Sequence, residues 1–277
     1  MTNGDEEVLS LEELMAGDAG AGVPEIGDRD MASLILPDLD YESQLIAISD
    51  LLRQNQGADE RNTARIAEVY ALARRTTGTR DQRAVDEWVD LLQGSTYQSA
   101  AHSMAAVGML APLIESLFYQ AFQGIRARFY EAEFMPAGHV RRGMLKTAEF
   151  WDCHFVFKAT RQSKCQKDLV PGIMELADAV KLTGHLPRGL RETLEPLFRY
   201  RNKMFHFGFE WPPKECEAFR TEIAKNGWGG LFSSATRSDV PFIFYMTDDL
   251  INRAFDLVHE LLDAFGTYCK AQRETGR

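Results

Sequence analysis

The stretch Arg201-Asn202-Lys203-Met204-Phe205-His206 lies at the end of a run with helical periodicity. Apolar residues recur through this run at spacings of three or four, at Leu190, Leu194, Leu197, Phe198 and Phe205. Arg201 falls on the same stripe, four residues after Leu197 and four before Phe205. A cation in line with apolar residues is costly unless a charged group pairs with it or water reaches it. The stretch therefore predicts a helix of a bundle that holds one arginine in an unusual environment.

The polar members of the stretch do not all share one face of that helix. Asn202 and His206 are four residues apart, so they project about 40° from each other. Arg201 projects about 140° from His206 at ~100° per residue. Arg201 and His206 can therefore meet at one ligand only across a cleft or an interface, with long side chains bent inward.

This pattern resembles the motif of the HEPN superfamily. In that motif an arginine, a polar residue, a few variable residues and a histidine lie on one helix of a small α-bundle. Arg201, Asn202 and His206 match those positions. The apolar run before the motif and helical patterns on both sides of it extend the similarity over roughly residues 96–270, whereas the first ninety or so residues show none.

The resemblance implies a metal-independent endoribonuclease. RNA cleavage without a metal needs help for the attacking 2′-OH, a cation for the phosphoryl oxygens and an acid for the leaving 5′ oxygen. Histidine serves as acid or base near neutral pH, and arginine binds phosphate through its planar fork. Asparagine orients the histidine or bonds the phosphate. We therefore expect Arg201, Asn202 and His206 to be catalytic, RNA to be the partner, and no cofactor or metal to be needed.

A homodimer is also implied by the resemblance. One arginine and one histidine are few groups for this reaction, and catalytic HEPN proteins pair two motif helices so that two such pairs line one basic cleft. A two-fold interface of this kind also explains how an arginine can sit on an apolar stripe. The products expected from such a site are 2′,3′-cyclic phosphate and 5′-OH ends. The setting expected is stress response, toxin function or phage defence.

Two other hypotheses stay open at this point. Glu115 lies inside the apolar face of an earlier helix. In the structural alternative Arg201 pairs with Glu115, and His206 is an ordinary hydrogen-bonded histidine near a helix end. The chain is then a non-catalytic HEPN module that binds RNA, a nucleotide or a protein partner, or else a helical adaptor whose N-terminal arm recruits another protein. Some HEPN toxins carry a tyrosine two residues after the histidine, where an antitoxin nucleotidyltransferase modifies it. Gly208 stands there, so we do not expect that control. A regulatory protein partner or another antitoxin is the alternative that the resemblance leaves open.

Charge is distributed unevenly along the 277 residues. The net charge is −10, but residues 1–60 hold 15 acids and two bases, a net of −13. Residues 126–203 hold 15 bases and nine acids, a net of +6. The acidity is thus a property of the N-terminal segment, and the region that leads into the motif is basic. That basic region suits a nucleic-acid partner, and the alternative is that its lysines and arginines only solvate helix faces.

The N-terminal residues and the lengths of the apolar runs lead us to expect a cytoplasmic protein with no membrane partner. Residues 1–7 lack the basic and apolar regions of a signal peptide, and no apolar run approaches the ~20 residues that span a bilayer. The cysteines are scattered, as expected for buried free thiols in a reducing compartment. Cys153 and His154 with Cys165 do not have the spacing of a zinc site. The basic stretch 138–143 is expected to be a solvated loop.

The predicted fold is mainly α: a HEPN-like helical bundle with an N-terminal helical extension and a small β-hairpin before the last helix. The predicted domains are an acidic, weakly ordered segment at 1–30, the extension at 31–95 and the HEPN-like domain at 96–277. Helices are predicted over 34–52, 59–75, 81–93, 97–130, 141–158, 170–183, 187–206, 214–225 and from 247 onward. Gly94 is expected to end one helix, Pro112 to bend another and Pro196 to restart the motif helix.

Overall fold

A computed structural model describes residues 27–36, 40–75, 79–129, 138–144, 147–157 and 165–274. The α-helices are α1 Tyr41–Ala73, α2 Thr79–Phe129, α3 Leu169–Ala179, α4 Leu190–Phe207, α5 Pro213–Asn226 and α6 Asp248–Glu274. The strands are β1 Phe155–Phe157, β2 Cys165–Lys167, β3 Phe232–Arg237 and β4 Val240–Met246. The described residues are therefore mainly helical, with a two-stranded hairpin directly before the last helix, which confirms the predicted mainly α class and the predicted hairpin. The HEPN-like identity of the bundle stays a prediction. Most of the predicted weakly ordered segment, residues 1–26, lies outside the described residues.

The first two helices form a long antiparallel hairpin. The Asp40 carboxylate caps α1 by accepting the backbone N–H of Ser43 at 2.9 Å. The prediction of separate helices at 34–52 and 59–75 is wrong, because α1 runs through both regions for 33 residues. The predicted stop at Gly94 is also wrong: α2 continues through it for 51 residues. The domain boundary predicted at 95/96 thus lies within α2, and the division itself stays a prediction.

Helix α2 is the centre of the core. Its inward side chains are buried against α4 and α6, at Ala106, Val107, Leu110, Ile114, Leu117, Phe118, Ala121 and Phe122. Pro112 lies within α2 on its exposed side, and the helix continues through it. The bend expected at Pro112 stays a prediction. Gly124 allows the 3₁₀ turn Asp30–Leu34 and the following Ile35 to pack closely on α2, since an added Cβ would lie 2.1 Å from the Ile35 carbonyl oxygen.

Length and composition alone would allow one helix of the described residues, Gln82–Phe129, to cross a bilayer. Its most apolar window is 56% buried inside the protein. That burial is usual for a core helix packed against neighbouring helices.

The segment between α2 and α3 differs from its prediction. A helix over 141–158 is wrong; the described residues there form 3₁₀ turns at Val140–Met144 and Ala148–Trp151, followed by β1. β1 pairs antiparallel with β2, with Val156 opposite Gln166. The prediction that 138–143 is a solvated loop is also wrong for Arg141, whose side chain is fully buried.

The C-terminal part of the chain is close to its prediction. β3 and β4 pair antiparallel, with Phe232 opposite Met246, and Ser238 and Asp239 turn between them with φ of 50° and 64°. Both central residues have positive φ, as in the tight turns that suit a right-twisted hairpin. The hairpin packs its aromatic side chains against α4 and α5, with Tyr200 donating its hydroxyl to the Phe244 carbonyl at 2.8 Å.

Candidate functional site

Helix α4 presents the motif residues to solvent. Its buried face consists of Leu190, Thr193, Leu194, Pro196, Leu197, Phe198, Tyr200 and Met204. The helix continues through Pro196, so the predicted restart there is wrong. It ends at Phe207, and Gly208 follows with φ of 72°, a conformation that favours glycine. The motif therefore occupies the last two turns of α4, at the edge of the bundle.

Arg201 is only loosely paired. Its side chain is 35% exposed, and its Nη2 lies 3.9 Å from Oε2 of Glu115. That distance permits a charge interaction but is too long for a hydrogen bond. Nη1 donates to the side-chain oxygen of the adjacent Asn202 at 3.2 Å. Within the described part of the chain, the buried Nε of Arg201 has no hydrogen-bond partner. The guanidinium thus keeps capacity for an anionic ligand.

His206 lies apart from Arg201. Asn202 and His206 are both exposed, as their shared face predicts. Among the described residues no side-chain hydrogen bond or ion pair reaches the His206 ring, and its nearest ring contact is Phe207 at 6.3 Å between centroids. A single chain therefore brings Arg201 and Asn202 together but does not bring His206 to them.

A second histidine occupies the place beside Arg201. The Nε2 of His154 lies 2.7 Å from Oε1 of Glu115, the same carboxylate whose other oxygen faces Arg201. The Nδ1 of His154 lies 2.6 Å from Oδ1 of Asp152. The side chains of Asp152, His154, Glu115 and Arg201 therefore lie next to one another in that order. We call these four residues the His154 cluster.

The carboxylates favour the protonated form of His154. Burial on its own lowers the pKa of this ring, but the hydrogen bonds to Asp152 and Glu115, with their negative charges, outweigh burial and raise the pKa of His154 above its ordinary value. Because both ring nitrogens face carboxylate oxygens, the imidazolium with two N–H donors satisfies both contacts at once. His154 thus carries a proton over more of the neutral range than a free histidine.

The turn that carries His154 is fixed from inside the protein. The buried guanidinium of Arg141 pairs with Glu175 at 2.7 Å and donates to the Phe150 carbonyl at 2.5 Å and the Asp152 carbonyl at 3.4 Å. The Asp152 carboxylate also accepts the backbone N–H of His154 at 2.9 Å. These bonds hold the position and direction of the imidazole.

The His154 cluster opens into a cavity of about 970 Å³. Basic side chains line it at Lys167, Arg191, Arg199, Arg201 and Lys225, and acidic ones at Glu115, Asp152, Asp168, Glu195 and Glu222. Arg191 pairs with Glu195 and Arg199 with Glu222, at 2.6 and 2.8 Å. No carboxylate of the described residues lies within ion-pair distance of Lys167 or Lys225. His206 does not line this cavity, whereas Asn202 does.

Another cavity of about 660 Å³ lies between α1 and α6. Its charged lining is mostly acidic, with Glu42, Asp50, Asp248 and Asp256 against Arg53. A phosphate-bearing ligand suits the cavity at Arg201 better, because that cavity offers cations that are not fully neutralised.

Asp152, Cys153 and His154 are close enough to one another to be considered as metal ligands. Cys153 is a poor ligand, because burial raises the pKa of its thiol to about 12 and metals bind the thiolate. Both nitrogens of His154 also already face carboxylates. The expectation of no metal site stays a prediction. Three of the four cysteines, Cys153, Cys216 and Cys269, are buried free thiols as expected, whereas Cys165 is exposed.

The sequence reasoning missed His154 as a functional candidate because it considered Cys153-His154 only as a zinc pair. The available signal was Asp152 two residues earlier, since an aspartate readily bonds backbone and side-chain donors two residues on. Comparison with family models, with curated proteins and with solved structures returned no match.

Proposed function

We propose that this protein is a metal-independent endoribonuclease of the HEPN type, with Arg201, Asn202 and His206 as motif residues. The observation that supports it most is the state of Arg201. A purely structural arginine on an apolar stripe is expected to be saturated by a close carboxylate. Arg201 instead has its nearest carboxylate at 3.9 Å, a buried Nε without a partner among the described residues, and an open cavity in front of it.

In the proposed reaction the 2′-OH of RNA attacks the neighbouring phosphorus and the bond to the 5′ oxygen breaks. Arg201 binds the phosphoryl oxygens and stabilises the charge that develops on them. Asn202 holds the guanidinium and offers its amide to the phosphate. His206 accepts the proton of the 2′-OH. The products are a 2′,3′-cyclic phosphate and a 5′-OH end.

The proposed active form is a homodimer, because one chain separates His206 from Arg201. The face of α4 that carries His206 also exposes apolar rings: Phe205 is 60% and Phe207 38% exposed. The Phe205 ring lies over Gly108 of α2, where an added Cβ would be 3.5 Å from the ring. Exposed rings around a polar motif suit burial against a second copy, which would bring the second His206 toward Arg201.

The test is cleavage of mixed RNA by purified protein with EDTA present. We expect Arg201→Ala and His206→Ala each to abolish cleavage while leaving the helical circular dichroism spectrum unchanged. Matched controls are Arg253→Ala, which removes an exposed arginine paired with Asp249, and His259→Ala, which removes a histidine bonded to Arg29. Cleavage at the wild-type rate in both motif variants would refute the proposal.

Mixing the two inactive variants tests the dimer. If the site is composite, a heterodimer of Arg201→Ala and His206→Ala chains keeps one intact arginine and one intact histidine at the interface, so mixing restores cleavage. The active wild type should also lose activity faster than linearly on dilution below its dimer dissociation constant. A fully active monomer in sedimentation would contradict this assembly.

A second candidate function is a non-catalytic HEPN module that binds RNA, a nucleotide or a protein partner. The separation of Arg201 from His206 within one chain favours it, and so does a cavity large enough for a nucleotide. It predicts RNA or nucleotide binding that Arg201→Ala weakens, with intact RNA recovered from every incubation.

The ribonuclease proposal also includes a cytoplasmic location, a role in stress response, toxin action or phage defence, and a regulatory partner or antitoxin.

A further inference from the structure

His154 lies on the wall of the Arg201 cavity and is held there by two short contacts. Both ring nitrogens have carboxylate partners, at 2.6 Å from Asp152 and 2.7 Å from Glu115. The ring is 34% exposed, so solvent and ligands in the cavity reach it. A histidine that serves only to fill the core needs neither two carboxylates nor access to a cavity.

The support behind the ring shows that its position is specified by the fold. Gly172 at the start of α3 allows the turn to approach, because an added Cβ would lie 2.1 Å from the Cys153 carbonyl oxygen. Arg141 donates to carbonyls on both sides of the same turn, those of Phe150 and Asp152 before it and that of Phe155 after it. A proton-transfer group needs such fixed geometry, because a shift of about 1 Å can cost a hundredfold in rate.

Glu115 links His154 to the arginine of the motif. One of its oxygens lies 2.7 Å from His154 Nε2, and the other lies 3.9 Å from Arg201 Nη2. A phosphodiester likewise presents two oxygens on one central atom that share one negative charge. A bound phosphate can therefore draw Arg201 toward itself and take the place of the Glu115 carboxylate between the guanidinium and the imidazolium.

We propose that His154 is a further catalytic residue of the RNA-cleaving site, acting as the general acid that protonates the leaving 5′ oxygen. This inference rests on the proposed function and adds to it a residue that lies outside the motif. Asp152 and Glu115 are its positioning residues. They hold the ring and keep it protonated until the substrate phosphate displaces Glu115 from Nε2.

The proton balance of the step is complete without any further reactant. The 2′ oxygen forms a bond to phosphorus and gives its proton to His206, the base of the proposed reaction. The bond from phosphorus to the 5′ oxygen breaks, and that oxygen takes the Nε2 proton of His154. Water later returns a proton to His154 and removes one from His206, and nothing is oxidised or reduced.

The test compares two substrates whose leaving groups differ in their need for a proton. One is a short single-stranded RNA, and the other is the same RNA with a bridging 5′-sulfur at the cleaved bond, whose thiolate leaves without protonation. We expect His154→Gln to lose about 10²–10⁴-fold in rate on the oxygen substrate, the usual contribution of a positioned acid, and less than about tenfold on the sulfur substrate. His259→Gln, a histidine outside the cavity, is the matched control.

The pH profile gives a second readout that a structural role would not change. A general acid must be protonated, so the wild-type rate on the oxygen substrate should fall as pH rises through the pKa of His154, above the ordinary histidine value. Glu115→Gln removes one of the charges facing the ring and should move that limb to lower pH. The other charged groups near the ring are Asp152 at Nδ1, Arg201 across Glu115, and Lys167 and Asp168 on the wall of the same cavity. With the sulfur substrate the limb should vanish, and this holds for wild type even if His154→Gln does not fold.

The outcomes separate this inference from the proposed function. If wild type cleaves RNA and Arg201→Ala does not, but His154→Gln keeps the wild-type rate or loses equally on both substrates, His154 is not the general acid and the proposed function stands. If the alkaline limb persists unchanged with the sulfur substrate, the inference fails in the same way. If wild type cleaves neither substrate, the proposed function fails and the inference fails with it.

Discussion

Arg141 and Arg201 differ in how completely their guanidinium groups are paired. Arg141 is fully buried and its guanidinium is saturated, with Glu175 at 2.7 Å and several backbone carbonyls around it. Arg201 lies on an apolar stripe but is 35% exposed, and its nearest carboxylate is 3.9 Å away. A saturated guanidinium has no donor left for a ligand, whereas an unsaturated one at a cavity does. Arg141 therefore supports the site, and Arg201 is available to act in it.

The largest expected effect comes from removing each arginine in turn. Arg141→Met leaves Glu175 and several carbonyls buried without their partner, and we expect it to lower the free energy of unfolding by about 3–5 kcal/mol. Arg201→Met removes only a long, partly exposed ion pair, so the loss should stay within about 1 kcal/mol. Urea denaturation followed by circular dichroism measures both.

The rate of RNA cleavage should be lost in Arg201→Met even though its stability changes little. Arg201→Met should be folded and inactive toward RNA. Glu175→Gln is a milder form of the Arg141 change, since it keeps the size of the side chain and removes its charge. Equal losses of stability in Arg141→Met and Arg201→Met would contradict this contrast, because the degree of saturation of the guanidinium would then have no energetic consequence.

The contrast between these arginines also marks the limit of what the sequence could predict. Helical periodicity correctly gave the motif helix, because its buried residues recur at helical spacing. It also placed Glu115 near Arg201, because both interrupt apolar faces. The environment of Arg141 could not be predicted, since its partners come from residues 150, 152, 155, 172 and 175, which the fold brings together only in three dimensions.

The errors have identifiable physical causes. The sequence predicts a helix that contains Phe150, Trp151, Phe155 and Phe157. In the structure the side chain of Arg141 bonds the carbonyls of this segment and holds it in a 3₁₀ turn and a strand instead. Gly94 was expected to end a helix. A helical glycine costs about 1 kcal/mol relative to alanine, and packing of α2 along α1 offsets that cost.

A smaller effect is expected from the glycine that admits the His154 turn. Gly172→Ala places a methyl group where the Cys153 carbonyl oxygen lies 2.1 Å away, so the turn or α3 must shift. Overpacking of this kind costs about 1–3 kcal/mol. The matched control is Gly184→Ala, since an added Cβ there meets no atom within 4 Å.

The two glycine variants test whether the turn that carries His154 only packs against α3 or also positions His154 for catalysis. If the turn only fills space, Gly172→Ala should lose stability and keep its cleavage rate under conditions where it is folded. If the turn positions His154, cleavage should fall further than the folded fraction does. Denaturation curves together with initial rates at low temperature distinguish these results. A loss of stability in Gly184→Ala as large as that in Gly172→Ala would show that the close contact at Gly172 is not the cause.

The smallest expected effect concerns the acidic N-terminus and the cations it can compete for. Residues 1–26 hold seven acids and no lysine or arginine. The deletion should stop there, because Asp28 pairs with Lys270 at 3.0 Å and Arg29 with Glu42 at 2.6 Å. A tethered acidic segment competes with RNA phosphate at an effective concentration of roughly millimolar for a short flexible link. Arg201, Lys167 and Lys225 are the cations of the cavity that lack a close carboxylate within the described residues.

Deletion of residues 1–26 should therefore raise RNA affinity at low salt. The gain should shrink as salt increases, because exposed charges are screened beyond ~10 Å at 0.1 M, and RNA affinity itself falls with salt as counterions are released. In the Arg201→Met background the gain should be smaller, since one of the competing cations is gone. Fluorescence anisotropy with a labelled RNA measures the affinity. If the affinity at low salt does not change on deletion, the segment only adds solubility and does not compete for the unsaturated cations of the cavity.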